Sequence, residues 1–419
     1  MTFNRADILI PRGIDMTAWS VVACDQYTSQ PEYWKEAEKE TNGKPTALNI
    51  ILPEVYLESD ECEKRTENIN AQMKKYISDG IFKTYRNCYI YVERTLKNGK
   101  IRRGIIGAAD LEDYDYSKGS ESPVRATEGT VSERIPPRLK VRMNAKLELP
   151  HVMILIDDRK KEILEYLNEK KSEMELIYDF DLMMDSGHLK GYLLNDELAD
   201  YVEKKLETFS DKEYFEDKYS VKNKNPLVFA VGDGNHSLAT AKEYYNEIKK
   251  KYGEKALSMP ARYALAEIVN LHDDSLEFEA IHRVMFNIDS EKIKRELMKI
   301  SSPEKNDIGQ KFVFVSGDSE ETLYITKPTA NLTVGTIQNF IDEYIRKNGG
   351  EVDYIHGKDV VKNLSKDKNS CGFVFDAMNK NDLFKTVILD GALPRKTFSM
   401  GEACDKRFYT EARIINDEI

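Results

Sequence analysis

Leu227 to Lys250 reads LVFAVGDGNHSLATAKEYYNEIKK. Leu227 to Val231 is an unbroken apolar run, the pattern of a buried strand. Gly232-Asp233-Gly234-Asn235-His236 then forms a tight loop. Its two glycines relieve the steric limits on the backbone and let a ligand approach the main chain. Ser237 to Lys250 has the composition of a helix beginning near His236 or Ser237. The free N–H groups at such a helix start favour an anion. The loop is neither a GxxxxGK[ST] phosphate loop nor a GxGxxG fingerprint, since Ser237 occupies the third glycine position. An ordinary turn capped by Asn235 or Ser237 is the plainer alternative.

Outward from this stretch, strands and helices alternate irregularly, which predicts an α/β protein with mixed sheets (α+β). Asn87 to Thr95 and Lys100 to Ala108 alternate around Asn98-Gly99, a hairpin signal. His151 to Asp157 reads as a strand, and Ala261 to Asn270 as a strand with competing helix propensity. Ala18 to Cys24 reads as a strand ending at Asp25. Pro31 opens a helix, Asp60 to Ser78 forms another, and residues 210–226 read as a charged linker. Residues 109–137 form a charged loop bearing Arg125, Thr127, Glu128 and Arg134, with Arg138 just beyond. The expected division is a main α/β domain over 1–286, divisible into two subdomains, and a C-terminal α/β domain over 287–419.

The 419 residues include 62 Lys and Arg against 73 Asp and Glu, a net charge of -11. That balance argues against a nucleic-acid partner, whose phosphates call for a basic surface. A small anionic or hydroxyl-bearing ligand needs only a few local donors. Five cysteines without a CxxC pair suit a reducing compartment. No apolar run reaches 18 residues and the first residues lack a signal-peptide pattern, so a cytoplasmic protein without a membrane span is expected.

The loop and its surroundings resemble the domain of unknown function 1015 family (DUF1015), whose signature is a strand followed by Asp-Gly-His-His-Arg and a helix. Asp233, Gly234 and His236 match it, whereas Asn235 replaces a histidine and Ser237 replaces the arginine. Asp25, Ile51-Leu52-Pro53-Glu54, Arg125-Ala126-Thr127-Glu128, His282-Arg283 and His356 resemble further family elements. The resemblance implies a core similar to the fold of ParB proteins, sulfiredoxin and the archaeal free-serine kinase, with an added C-terminal domain.

Carried onto this chain, the resemblance makes Asp233, His236 and Asp25 the catalytic candidates. Gly232, Gly234, Asn235, Ser237, Arg125, His282, Arg283 and Lys396 become candidate phosphate or nucleotide contacts. The implied activity is phosphotransfer to a small hydroxyl substrate such as free serine, with Mg2+ and a nucleotide or pyrophosphate donor. A nucleotide-binding regulatory protein without turnover and a metal-dependent phosphoester hydrolase are the alternatives. Arg395, Lys396, Lys406 and Arg407 form a basic patch in an acidic chain; that tail either closes over the site or packs on the first domain.

Overall fold

The computed structural model describes residues 1–129 and 132–416. The chain forms two compact units, Met1–Leu276 with Glu402–Ile419, and Glu277–Gly401. The expected boundary at 286 would leave the strand Phe278–Phe286 in the first unit, whereas that strand lies in the second. The last residues return to the first unit because they pair with it. Phe408–Tyr409 is antiparallel to Val21–Val22, and Arg413–Ile414 to Leu147–Glu148.

The first unit is built on a ten-stranded mixed sheet. Its order runs Glu175–Asp181, His188–Leu193, Ile90–Thr95, Ile101–Asp110, Tyr263–Asn270, Met153–Ile156, Phe229–Asp233, Val124–Ala126 and Tyr114–Asp115, with Phe3–Asn4 added on Ile101–Asp110. The hairpin around Gly99 is present, and Asn98 Oδ1 accepts the Lys100 N–H at 3.0 Å. Tyr263–Asn270 is a strand despite its helix-favouring residues. It lies between two partners, antiparallel to Ile101–Asp110 and parallel to Met153–Ile156, and all but its first residue are buried. Burial on both faces outweighs local propensity there.

Three local expectations change. Met16–Trp19 is a short helix whose start is capped by Asp15, so the strand expected over 18–24 shrinks to Val21–Val22. The segment read as a linker holds the helix Lys212–Tyr219, capped by Asp211 and anchored by buried Phe215. Of the expected loop 109–137, residues 130 and 131 lie outside the described residues. The rest supplies two sheet strands and the start of the helix Ile135–Met143.

The second unit is a seven-stranded antiparallel sheet with the helices Ser290–Leu297, Thr333–Asn348, Lys358–Leu364 and Lys380–Asp390. Phe312, Phe314, Phe373, Ile337 and Ile341 form its core. Among the described residues no helix is long and apolar enough to cross a membrane.

Candidate functional site

The strand Phe229–Asp233 is antiparallel to Met153–Ile156 on one side and parallel to Val124–Ala126 on the other. Its first three residues are buried, while Gly232 and Asp233 emerge part-way into solvent. Gly232 remains in the strand, so the turn falls on Gly234, at φ +79°. A Cβ at Gly234 would stand 3.0 Å from Val152 Cα and 3.2 Å from its Cγ2. Conformation and space therefore both require glycine.

The helix Asn235–Tyr252 starts at once, with Gly234 as its cap residue and no side-chain cap. Neither Asn235 nor Ser237 is the cap residue. The backbone N–H groups of Asn235 and Ser237 donate to nothing among the described residues. They face the end of the helix where the backbone dipole favours negative charge.

Asp233 Oδ1 accepts the Gly234 N–H at 3.1 Å, and its Oδ2 lies 3.4 Å from Lys406 Nζ. Burial pushes the His236 imidazole below its ordinary pKa, and Arg138 and Arg134 push it further, against an opposing pull from Asp25. The ring is thus neutral near pH 7 and lies in the field of two guanidinium groups. Asp25 accepts a hydrogen bond from Gln26 Nε2 at 2.9 Å. The pairing of Val21–Val22 with Phe408–Tyr409 brings the segment carrying Asp25 beside the C-terminal residues that carry Lys406.

Ser237 meets a histidine. Its Oγ lies 2.6 Å from His151 Nε2, and His151 Nδ1 lies 2.9 Å from Tyr409 Oη. Tyr409 Oη also accepts the Cys24 N–H at 3.1 Å. These four residues line a cavity of about 170 Å3 whose other walls include Ile50, Leu238 and Leu265. At its edge Arg138 Nε donates to Glu54 Oε1 at 2.8 Å.

The structure thus gathers Asp233, Gly234, Asn235, His236, Ser237 and Asp25. Arg125 has a different setting. It is buried, and its Nε and Nη2 donate to the Ser122 and Asn225 carbonyls, each at 2.8 Å, which ties two loops together. His282, Arg283 and Lys396 belong to the second unit. There Arg283 is fully buried and bridges Gln338 to the carbonyls of Ile281, Arg395 and Lys396. His282 Nδ1 accepts the Phe375 N–H at 3.3 Å.

Sequence reasoning singled out neither His151 nor Tyr409 for the site. In the sequence Lys406 belongs only to the basic patch, where Lys396 is the candidate. The signal for Lys406 lies in its neighbour Arg407. That arginine is buried among Glu267, Glu411 and the Pro150 carbonyl, and so pins the tail to the first unit.

No group of three or more His, Cys, Asp or Glu side chains able to hold a metal occurs among the described residues. Magnesium commonly binds through one or two carboxylates together with substrate phosphates. Asp233 and Asp25 are the carboxylates this site offers for that arrangement.

The profile of the family described as "Protein of unknown function (DUF1015)" matches residues 9–344. No curated protein matches the chain. Among solved structures, it is similar to a free serine kinase in complex with AMP, at 12% identity and a TM-score of 0.37, over 72% of this chain and 90% of that one. A mutant free serine kinase in complex with ADP gives 11% identity, a TM-score of 0.38, and 74% and 92% coverage. SbnI with C-terminal truncation, from Staphylococcus aureus, gives 10% identity, a TM-score of 0.36, and 71% and 82% coverage. At such TM-scores the likeness carries no chemistry across.

Proposed function

We propose that this chain, which belongs to the DUF1015 family, binds a phosphorylated small molecule at the start of the Asn235–Tyr252 helix and transfers a phosphoryl group to a small hydroxyl substrate. In this reading the strand, turn and helix form part of a ParB/sulfiredoxin-like core. One observation carries it: the undonated amides of Asn235 and Ser237 share their corner of the fold with Lys406 and with the arginines that act on His236. Amides of this kind, backed by fixed positive charge, stabilise the charge on a transferring phosphoryl group.

Each residue has a task in this reading. Lys406 neutralises Asp233 in the resting protein and turns to the phosphate oxygens when the donor binds. Asp233 then accepts the proton of the attacking hydroxyl. Neutral His236 donates a hydrogen bond to a phosphate oxygen. Asp25 orients the acceptor. A magnesium ion held by the donor phosphates together with Asp233 or Asp25 would supply further charge neutralisation.

A coupled assay with free serine as acceptor, ATP, ADP or pyrophosphate as donor, and magnesium tests the proposal. Product formation that is lost in Asp233→Asn supports it. No product with any donor, or an Asp233→Asn variant as fast as the wild type, defeats it. Tight nucleotide binding without product would point instead to a regulatory protein.

A further inference from the structure

The Ser237 hydroxyl lies just after the Gly234 turn and against a histidine ring. It projects from the first turn of the Asn235–Tyr252 helix, and its Oγ is 2.6 Å from His151 Nε2. His151 is buried and held at its other nitrogen by Tyr409 Oη, 2.9 Å away. Its ring meets the tyrosine ring edge-on, with centroids 5.4 Å apart. Tyr409 is fixed in turn by the Cys24 N–H and by its place in the Phe408–Tyr409 strand. A hydroxyl, an imidazole at hydrogen-bond distance and a third group holding the imidazole form the arrangement of an activated nucleophile. The hydroxyl and the ring both border the cavity of about 170 Å3.

We propose that Ser237 is a nucleophile with His151 as its general base, so that the phosphoryl group passes through a phosphoserine at position 237. The proposal rests on the phosphotransfer reading above and adds a covalent step to it. His151 carries its own proton on Nδ1, toward Tyr409 Oη, and presents Nε2 to the serine. In the first step Ser237 Oγ attacks the terminal phosphorus of the donor. The Oγ–P bond forms, the bridging P–O bond breaks with its electron pair leaving on the donor oxygen, and the serine proton passes to His151 Nε2. In the second step the acceptor oxygen attacks the same phosphorus and the Oγ–P bond breaks. Ser237 recovers its proton from His151, and the acceptor proton leaves through Asp233 to solvent. The amides of Asn235 and Ser237 receive the phosphoryl oxygens in both steps.

The test uses the full chain and two probes. A fluorophosphonate probe forms a bond to an activated serine oxygen and releases fluoride, whatever the natural donor is. The expected result is labelling of the Ser237 peptide. His151→Gln, with an unchanged melting temperature, should label at least tenfold more slowly. An unlabelled wild-type Ser237, or His151→Gln labelling at the wild-type rate, overturns the proposal. ATP or ADP with magnesium and no acceptor, followed by acid quench and peptide mass analysis, should place one phosphoryl group on Ser237. If wild type and Ser237→Ala transfer phosphate equally well, the covalent route fails and the phosphotransfer reading stands. If the fluorophosphonate labels Ser237 but no donor supports transfer, the nucleophile stands and that reading fails.

Discussion

Lys406 Nζ stands 3.4 Å from Asp233 Oδ2, so the C-terminal tail supplies the cation beside the acid that ends the Phe229–Asp233 strand. Both side chains are mostly shielded, at 16% and 20% exposure. The pair therefore sits in a medium where charge counts for more than at a free surface.

Replacing that lysine should weaken anion binding more than it weakens the fold. Lys406→Met keeps the length of the side chain and removes its charge. A lost charge-assisted contact is worth roughly 1.5–3 kcal/mol, so affinity for a bound nucleotide should drop by about tenfold or more. Calorimetric titration of ATP into wild type and variant measures this. Equal dissociation constants would remove Lys406 from the site.

Gly234→Ala should destabilise the first unit. A left-handed conformation costs a residue with a Cβ about 1–2 kcal/mol. The new carbon would also press on Val152 Cα at 3.0 Å. Urea unfolding followed by circular dichroism should show a lower midpoint. An unchanged midpoint would mean that the turn relaxes freely, and a rigid anion cradle would not survive that result.

The strand, turn and helix around Gly234 were legible because their pattern is local: an apolar run, two glycines, then helix formers. The Gly99 hairpin was legible for the same reason. The partners of Ser237 were not, since His151 lies 86 residues away and reaches it only through sheet pairing. Tyr409 is a further 258 residues from His151 along the chain. Arg125 enters as a candidate phosphate contact through the family resemblance. Its carbonyl partners at Ser122 and Asn225 become visible only once the chain is folded. The turn at 15–20 went unread because Asp15 caps a helix of only four residues, too short to show periodicity.

His236 should make stability fall as the solution is acidified. Its folded pKa lies below the ordinary value of 6.5, through burial first and then through Arg138 and Arg134. Below 6.5 the unfolded chain takes up a proton that the folded chain resists. The stabilising contribution is therefore complete above that pH and declines as pH falls toward the folded value. His282 is depressed in the same direction, by burial and then Arg283, so the useful quantity is the difference between wild type and His236→Asn. Denaturation midpoints from pH 7.5 down to 5 should converge for the two proteins on acidification. NMR titration should also show the His236 pKa rising when inorganic phosphate binds. A value unmoved by saturating phosphate would separate the imidazole from the anion.

The strongest stability effect should come from Arg407, which adjoins Lys406 in sequence. Arg407 is 3% exposed; it pairs with Glu267 and Glu411, and its Nε donates to the Pro150 carbonyl at 3.0 Å. Glu411 also accepts the Tyr178 hydroxyl. Arg407→Met would leave two buried carboxylates without their cation, and breaking a buried pair in this way costs about 3–5 kcal/mol. Adding Glu267→Gln and Glu411→Gln should recover part of that loss, because the stranded charges are then gone. The same knot holds the strand that carries Tyr409 and positions Lys406. In the triple variant, fold and site should therefore separate: the melting temperature recovers part-way, while fluorophosphonate labelling of Ser237 stays slow. If Arg407→Met melts with the wild type, the tail is not anchored by this network, and the placement of Lys406 and Tyr409 needs another cause.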